Sequence, residues 1–262
     1  IGSVVPVGPR VFLSAEDPDD DEGQELWLLN FVPGLPPVQR VRDIAPGPAE
    51  SQIDQMHALP TRNGVVFRAT DGLSGAEPWF SDGTQAGTQR IADINPGAAS
   101  SDLREILPTA GGSVFFLADD GGSPPSYDLW LAFGSPFTTI KVRDFRNTRT
   151  SHLAIAGNTL FFLADEGAGT GRGLEFWMSG GLPQTTMPVA SGFAQNFETP
   201  TSHTVVGDYF YITSFSTLYR TAGTAASTQR VGPLNEPTTA IYELHGRGDG
   251  VLFGFSRFDG VG

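Results

Sequence analysis

The residues whose spacing most suggests a chemical role form a short acidic loop, Asp17-Pro18-Asp19-Asp20-Asp21-Glu22-Gly23. Asp17, Asp19 and Asp21 occupy alternate positions, a spacing typical of calcium-binding loops, where carboxylate oxygens surround one cation. The loop departs from the EF-hand pattern, because its glycine comes one position late and Leu28 stands where a bidentate glutamate belongs. Two interpretations follow: a calcium site formed by Asp17, Asp19 and Asp21, or a solvated acidic loop. Calcium is the one cofactor that the sequence suggests.

Carboxylates also recur two positions before an aromatic residue. The copies are Glu25-Leu26-Trp27, Glu77-Pro78-Trp79, Asp128-Leu129-Trp130 and Glu175-Phe176-Trp177, and a fifth repeat has Tyr219 in the tryptophan position. Paired carboxylates about 5 to 10 Å apart could hydrolyse glycosides, but a catalytic centre needs one such site, whereas every repeat has its own copy. Residues two apart in a strand share a face, so we predict that the tryptophans pack between sheets. Sugar-stacking platforms are the alternative. We expect the carboxylates to accept backbone N–H groups or an arginine of the next strand.

These motifs belong to a repeat of 42 to 52 residues, each with four strand-like runs that we call A to D in chain order. In the second repeat, A is 64–69, B is 76–81, C is 88–93 and D is 103–108. Asp-Gly and Pro-Gly turns separate the runs, as antiparallel hairpins require. Four strands at this period indicate a β-propeller blade. We therefore predict an all-β fold, a β-propeller of four-stranded antiparallel blades.

The repeats set the expected domain organisation, one propeller domain over residues 1–262. Five complete repeats cover approximately 9–60, 61–110, 111–156, 157–206 and 207–247, and residues 1–8 and 248–262 form a partial blade. Val4 to Val7 resemble a D strand, so we expect this first strand to complete one blade together with strands near the other end of the chain. Six blades are the preferred count, five the alternative, and an open arc of a larger ring the third. Because the first residue is Ile1, we expect a processed chain or a fragment.

Composition excludes several function classes. The formal net charge of −13 and the pI near 4.6 disfavour nucleic-acid partners. No apolar run approaches the roughly 18 to 20 residues of a membrane helix, so we expect no membrane insertion. The chain has no cysteine, which excludes disulfides and thiol catalysis. Arginine outnumbers lysine 15 to one, which favours a GC-rich bacterial source.

Two further residue sets could do chemistry. The segment 167–173 is glycine-rich but lacks the Gly-x-Gly-x-x-Gly spacing and precedes a strand, so we predict a loop and not a phosphate cradle. The four histidines, His57, His152, His203 and His245, recur near the D strands. Propeller geometry should spread such equivalent positions around a ring, so we expect no metal cluster from them.

The second repeat, Glu77 to Gly97, resembles the ELWxxDGT repeat family of bacterial proteins. The similarity extends more loosely over residues 9–245 and fails at Pro78, at 133–137, at 180–181 and at Tyr219. It implies propeller-like repeats in an extracellular or cell-surface protein and no shared catalytic activity; a periplasmic location is also open.

We thus expect a secreted or surface-exposed binding or structural module that presents its loops to a protein or glycan partner, either alone or as a subunit of an extracellular assembly. The alternative is an enzyme, a hydrolase or lyase acting on polysaccharide, with a site in a central channel where A strands meet. Arg68 is the candidate residue for such a channel.

Overall fold

A computed structural model describes residues 2–17, 23–123, 125–134, 137–145, 150–166, 174–189, 200–214, 217–233 and 239–257. In this part of the chain the regular structure consists of 22 β-strands and two 3-10 helices, Pro60–Arg62 and Pro183–Thr185. No helix within these ranges has the length and apolar character that crossing a membrane requires. The all-β prediction is confirmed.

The chain divides into two compact units, residues 1–144 and 145–262, and each is described by itself. The first unit contains three four-stranded antiparallel sheets among its described residues. The first sheet consists of β1 (Val4–Val7), β2 (Arg10–Ala15), β3 (Glu25–Asn30) and β4 (Val38–Arg42). The second consists of β5 (Asp54–Leu59), β6 (Gly64–Ala69), β7 (Glu77–Ser81) and β8 (Gln89–Arg90). The third consists of β9 (Ile106–Pro108), β10 (Val114–Ala118), β11 (Asp128–Phe133) and β12 (Thr138–Arg143).

The second unit contains two four-stranded sheets and a two-stranded one within the described ranges. The fourth sheet consists of β13 (Ser151–Ala156), β14 (Thr159–Ala164), β15 (Glu175–Ser179) and β16 (Met187–Pro188). The fifth consists of β17 (Pro200–Val206), β18 (Tyr209–Ser214), β19 (Thr217–Thr221) and β20 (Gln229–Pro233). The sixth pairs β21 (Thr239–Arg247) with β22 (Gly250–Arg257).

The strand pairing corrects the predicted phase of the blades. Each four-stranded sheet has the order D-A-B-C, so a D strand joins the repeat that follows it. The prediction that Val4–Val7 would complete a blade with strands from the other chain end is wrong, because this strand pairs with Arg10–Ala15 in the first sheet. A tight turn at Gly8, with a positive φ of 57°, closes that hairpin locally. Sheet boundaries therefore precede the repeat boundaries by one strand, while the number of blades stays a prediction.

The D strands of successive sheets lie side by side in each unit. In the first unit β1, β5 and β9 are neighbours, and in the second β13, β17 and β21 are neighbours. Within each unit, neighbouring sheets therefore approach each other along their D strands. The expectation that A strands meet at a channel is wrong, because strand A is the second strand of each sheet.

Apolar layers fill the space between neighbouring sheets. Between the first two sheets, Trp79 packs against Phe12, Leu26 and Phe67, each less than 5 % exposed. A second layer joins the second and third sheets, and a third layer joins the fourth and fifth. The cause is the alternation of strand residues between the two faces of a sheet, which gives each blade two faces to bury.

The turn between strands B and C contains the same pair of hydrogen-bonded hydroxyl groups in three of the sheets. The hydroxyls of Ser81 and Thr88 lie 2.7 Å apart, and the Ser81 oxygen accepts the Gly83 N–H at 3.0 Å. The fourth and fifth sheets use the pairs Ser179–Thr186 and Thr221–Thr228 with the same spacing and the same 2.7 Å distance. The fourth repeat therefore keeps this turn although its sequence lacks the Asp-Gly pair.

Candidate functional site

The predicted calcium loop lies largely outside the described residues. Asp17 is half-buried, whereas Asp19 and Asp21 fall in the undescribed segment 18–22, so a calcium site at these three residues stays a prediction. The glycine-rich segment 167–173 also lies outside the described ranges. Within those ranges, no group of three or more His, Asp or Glu side chains is arranged to hold a metal ion.

Hydrogen bonds to backbone confirm the structural interpretation of two repeated carboxylates. The Glu25 carboxylate accepts the N–H groups of Ile44 at 2.7 Å and Ala45 at 3.2 Å. Glu77 accepts the N–H of Ile94 at 2.9 Å. Burial, opposed by these hydrogen bonds, raises the pKa of each glutamate to about 7. Each carboxylate thus joins strand B to the segment after strand C.

The third repeat satisfies its carboxylate differently. Asp128 has one methylene fewer than glutamate, is fully buried, and accepts the Lys141 ammonium at 2.6 Å. Asp120 accepts the same ammonium at 2.6 Å, and the Lys141 nitrogen lies 5.2 Å from the Trp130 ring centroid. The two carboxylates outweigh the effect of burial and raise the pKa of Lys141. The single lysine of the chain therefore replaces the arginine expected at this position.

The tryptophans of the repeats differ in burial. Trp79 is 4 % exposed and Trp177 fully buried, the latter with Phe145 and Phe162 rings at 5.0 and 6.2 Å. Trp27 and Trp130 are half-buried, and their indole N–H groups donate to strand A carbonyls, Ala15 at 3.0 Å and Ala118 at 3.3 Å. The packing interpretation is confirmed for Trp79 and Trp177, whereas for Trp27 it stays a prediction.

An open cavity of about 470 Å³ lies at the end of the first unit where A–B loops and C–D connections meet. We call it the loop cavity. It is lined by Ala49, Glu50, Gln52, Thr70, Gly72, Leu73, Ser74, Gly75 and Ala98. These residues come from the connection after β4, the A–B loop of the second sheet and the connection after β8. Gly23, which follows the acidic residues in sequence, lies near the same region, because its N–H donates to the Gly47 carbonyl at 3.4 Å.

Ser51 explains why Gln52 faces this cavity. The Ser51 hydroxyl and N–H both donate to the Gln24 carbonyl, at 2.5 and 3.0 Å, and the Ser51 carbonyl accepts the Thr70 N–H at 2.9 Å. With Ser51 held on both sides, Gln52 adopts a positive φ of 48°, a region that few residues other than glycine occupy. The buried serine therefore holds Gln52 in a strained and exposed conformation.

The A–B loop of the second sheet is equally ordered. Asp71 accepts the N–H groups of Leu73 at 3.0 Å and Ser74 at 2.7 Å, and Thr70 donates to the Ser74 carbonyl at 2.8 Å. Although burial opposes ionisation, these hydrogen bonds and the nearby Arg90 lower the pKa of Asp71. The loop presents Leu73 at the cavity with 84 % of its surface exposed.

In the third sheet, the residue equivalent to Gln52 has a hydrogen-bond partner. Ser101 repeats the Ser51 contacts, and Asp102 repeats the positive φ at 44°. There the Tyr127 hydroxyl donates to Asp102 at 2.5 Å, and the Arg104 guanidinium lies 3.7 Å from the Tyr127 ring centroid.

In the second sheet the small Ala76 stands in the tyrosine position. In the described part of the chain, neither the Gln52 amide nor the Glu50 carboxylate has a hydrogen-bond partner. Asp102 thus has a side-chain partner in the third sheet, whereas the equivalent Gln52, beside the second sheet, is available to a ligand.

A second cavity, of about 440 Å³, lies at the opposite end of the same unit. Arg62 lines it but donates to the carbonyls of Gly112 and Gly134 and stacks on Phe137. Asp82 accepts the N–H and hydroxyl of Thr84 at 2.9 and 2.7 Å. Because its charged groups are engaged in the fold, this cavity is a weaker candidate than the loop cavity. Sequence reasoning missed both cavities, because the residues that line each of them come from separate segments of the chain.

Comparisons with known proteins bear on the fold. No family model matches the chain, and no curated protein matches it. The chain is similar to a crystal structure of puromycin hydrolase, with a TM-score of 0.52, 12 % identity, and coverage of 93 % of this chain and 39 % of that one. It is similar to YCF48 from Cyanidioschyzon merolae, with a TM-score of 0.50, 10 % identity, and coverage of 95 % and 75 %. The chain is also similar to the β-propeller domain of the Trilobed protease from Pyrococcus furiosus, with a TM-score of 0.49 and 9 % identity. That similarity covers 96 % of this chain and 73 % of the other.

These similarities show the fold alone, because the identities are low. The chain spans about two fifths of the length of the puromycin hydrolase that it matches. YCF48 is a β-propeller, and the D-A-B-C sheets described above are blades of that architecture. The predicted fold class, a β-propeller of four-stranded antiparallel blades, is confirmed.

Proposed function

We propose that this chain is a non-catalytic β-propeller module that binds a basic segment of a partner protein at the loop cavity. The observation that supports this proposal is the pair of available polar groups, Glu50 and Gln52, beside the exposed Leu73. The next blade fills the equivalent place with Tyr127 and Arg104. A partner's arginine or lysine would occupy the loop cavity in a comparable way.

The composition of the cavity favours a protein over a glycan. No aromatic side chain lines the loop cavity within the described residues, whereas sugar sites commonly rely on such a ring. Leu73 would instead cover the aliphatic stem of an arginine or lysine, while the Glu50 carboxylate accepts its charged end. The net charge of −13 would steer a cationic partner toward the chain.

The location and the calcium site belong to the same proposal. The resemblance to ELWxxDGT repeats supports an extracellular or cell-surface protein. Calcium at Asp17, Asp19 and Asp21 would order the loop that ends at Gly23, which packs directly against the backbone of Ala49 and Glu50. Calcium would then prepare the loop cavity and take no part in a reaction.

The enzyme alternative receives no comparable support. Its named candidate, Arg68, donates to the Asp54 carboxylate at 2.7 Å. This ion pair joins strand A to strand D of one sheet and accounts for the residue structurally. A polysaccharide hydrolase or lyase would need an acid and a base together with such an arginine.

A displayed-peptide selection tests the proposal. Peptide pools that are basic, neutral or acidic but otherwise matched are selected on the wild-type chain, and enriched peptides are titrated against variants. We expect basic peptides to enrich, Glu50→Gln to weaken binding about 3-fold and Leu73→Ser about 10-fold. Leu35→Ser, on a different loop and 52 % exposed, is the matched control and should leave binding unchanged.

Equal enrichment of the three pools, or equal effects of Leu73→Ser and Leu35→Ser, would refute the proposal. A glycan array run in parallel supplies the competing outcome. Glycan binding that is lost in Glu50→Gln would replace the protein partner by a sugar.

A further inference from the structure

One buried carboxyl group holds the segment that supplies both polar groups of the loop cavity. Glu25 on β3 is 1 % exposed, and its two oxygens accept the N–H groups of Ile44 and Ala45 at 2.7 and 3.2 Å. These two residues lie near the start of segment 43–53, which joins β4 to β5 and which we call the first connection. A titratable side chain therefore fixes the first connection in place.

The first connection also lies directly on the backbone that precedes β3. A Cβ atom at Gly23 would approach the Ala49 carbonyl oxygen to 2.6 Å and the Glu50 nitrogen to 2.9 Å, so this contact requires glycine. The contact places the Glu50 backbone beside the residues that lead into Glu25. The cavity and the carboxyl group are thus parts of one packed region.

Ser51 connects Glu25 to Gln52. The Ser51 hydroxyl donates to the Gln24 carbonyl at 2.5 Å and is also a hydrogen-bond partner of the Glu25 carboxylate. A hydroxyl has one proton to donate, so it serves one of these two acceptors at a time. While Ser51 is held at Gln24, the adjacent Gln52 keeps its φ of 48°. The acceptor that Ser51 serves therefore bears on the conformation of Gln52.

The ionisation of Glu25 determines which acceptor is the stronger. A charged acceptor forms a hydrogen bond roughly twice as strong as a neutral one does, so a carboxylate anion attracts the Ser51 hydroxyl more than a carbonyl does. Burial raises the pKa of Glu25 from 4.5 to about 7, although the N–H groups of Ile44 and Ala45 oppose this effect. The carboxyl group is therefore mostly neutral at pH 5.5 and mostly ionised at pH 8.5.

The charged residues around Glu25 leave it free to change its ionisation. They are Glu16 and Asp17 after strand A, Arg40 and Arg42 on β4, and Asp43 and Glu50 on the first connection. Burial raises the pKa of Glu25 most, and Asp43 adds to this effect. Among the described residues, neither arginine forms an ion pair with Glu25. The described surroundings therefore contain no cation that would keep the carboxylate ionised at acidic pH.

We propose that protonation of Glu25 regulates the loop cavity by setting which acceptor the Ser51 hydroxyl serves. In the protonated state the hydroxyl bonds to Gln24, and Gln52 stays in its strained conformation at the cavity. In the ionised state the hydroxyl turns to the carboxylate, Gln52 is held less firmly, and the cavity loses one of its two polar groups. This regulation rests on the proposed function and makes the binding of a basic segment tighter at acidic pH than at alkaline pH.

Peptide titration at pH 5.5 and pH 8.5 tests the regulation. The probe is the tightest-binding basic peptide, with capped ends and arginine as its only titratable residue, so its own charge is constant. We expect the wild-type affinity to fall about 3- to 10-fold at the higher pH, the contribution of one hydrogen bond. Glu25→Gln lacks the titrating group and Ser51→Ala lacks the hydroxyl, so neither variant should show this fall.

Glu77→Gln is the matched control. Glu77 accepts the Ile94 N–H and is a hydrogen-bond partner of Ser101, which precedes Asp102 and not Gln52. This variant should therefore keep the wild-type dependence of binding on pH. The same fall in Glu25→Gln as in the wild type, or its loss in Glu77→Gln alone, would overturn the regulation.

NMR titration of the free chain separates this inference from the proposed function. The amide signals of Ser51 and Gln52 should move together with a midpoint near pH 7 in the wild type and stay constant in Glu25→Gln. If no basic peptide binds at either pH, the proposed function fails, and this titration alone decides the regulation. Signals of Ser51 and Gln52 that stay constant in the wild type would overturn it.

Discussion

Replacing Glu77 by glutamine tests which force decides the ionisation of the repeated carboxylate. The Glu77 side chain is fully buried, and its carboxylate accepts the Ile94 N–H at 2.9 Å. Burial favours the neutral acid, whereas the backbone hydrogen bond favours the anion. The balance raises the pKa of Glu77 from 4.5 to about 7, so burial is the larger effect.

Proton linkage gives the sign and the size of the pH-dependent change in stability that Glu77 causes. Because the pKa is higher in the folded chain, the folded state binds the proton more tightly than the unfolded state does. The resulting stability is fully present below pH 4.5 and is lost as the pH rises through 7. A carboxyl with this displacement loses about 3 kcal/mol of stability between pH 4 and pH 8. Glutamine does not titrate, so Glu77→Gln lacks this loss.

Urea unfolding followed by tryptophan fluorescence at pH 4 and pH 8 measures the effect. The free energy of unfolding of Glu77→Gln, relative to wild type, should rise by up to about 3 kcal/mol from pH 4 to pH 8. Taking the difference between the two proteins removes the titration of all other groups. Glu50→Gln, an exposed glutamate, is the control and should show no such change. A relative stability that is constant with pH, or that falls, would show that hydrogen bonding outweighs burial.

Three further substitutions probe the packing by urea unfolding. Gly83→Ala places a side chain at a φ of 89° and should lower the free energy of unfolding by about 1–3 kcal/mol. A smaller loss is expected where alanine replaces a residue with an extended backbone. Lys141→Met leaves the buried Asp128 without its cation and should cost about 3 kcal/mol, with Lys141→Arg recovering part of the loss; an unchanged midpoint would contradict the role of the ion pair. Thr88→Val removes the hydroxyl paired with Ser81 and should cost about 1–2 kcal/mol, and a stabilising effect would show that the pair is dispensable.

Local patterns account for the parts of the fold that the sequence predicts. Strand A of the second repeat was expected at 64–69 and is observed as Gly64–Ala69, because its alternating apolar residues fill two interblade layers. Strand C was expected at 88–93 but is only Gln89–Arg90. The pairing phase could not be predicted, because a D strand can pair with either neighbour and only the turn at Gly8 decides between them.

The candidate sites depend on contacts between repeats, which single-strand patterns do not contain. The loop cavity is formed by three separate connections of the chain, which contribute residues such as Gln52, Leu73 and Ala98. The rings of His152 and His203 approach to 5.2 Å between neighbouring D strands, at a register shift in β13. Both features require knowing which edges of neighbouring sheets approach each other. The Asp17, Asp19 and Asp21 loop, predicted from spacing alone, stays a prediction.

Site-specific photo-crosslinking tests the central claim, that a basic partner segment docks at the loop cavity. A photoreactive residue is placed at position 73 in one protein and at position 35 in another, and each is irradiated with the tightest-binding basic peptide. The account predicts a crosslink from position 73 that excess unlabelled peptide abolishes, and none from position 35. Crosslinks of equal yield from both positions, or from position 35 alone, would contradict it.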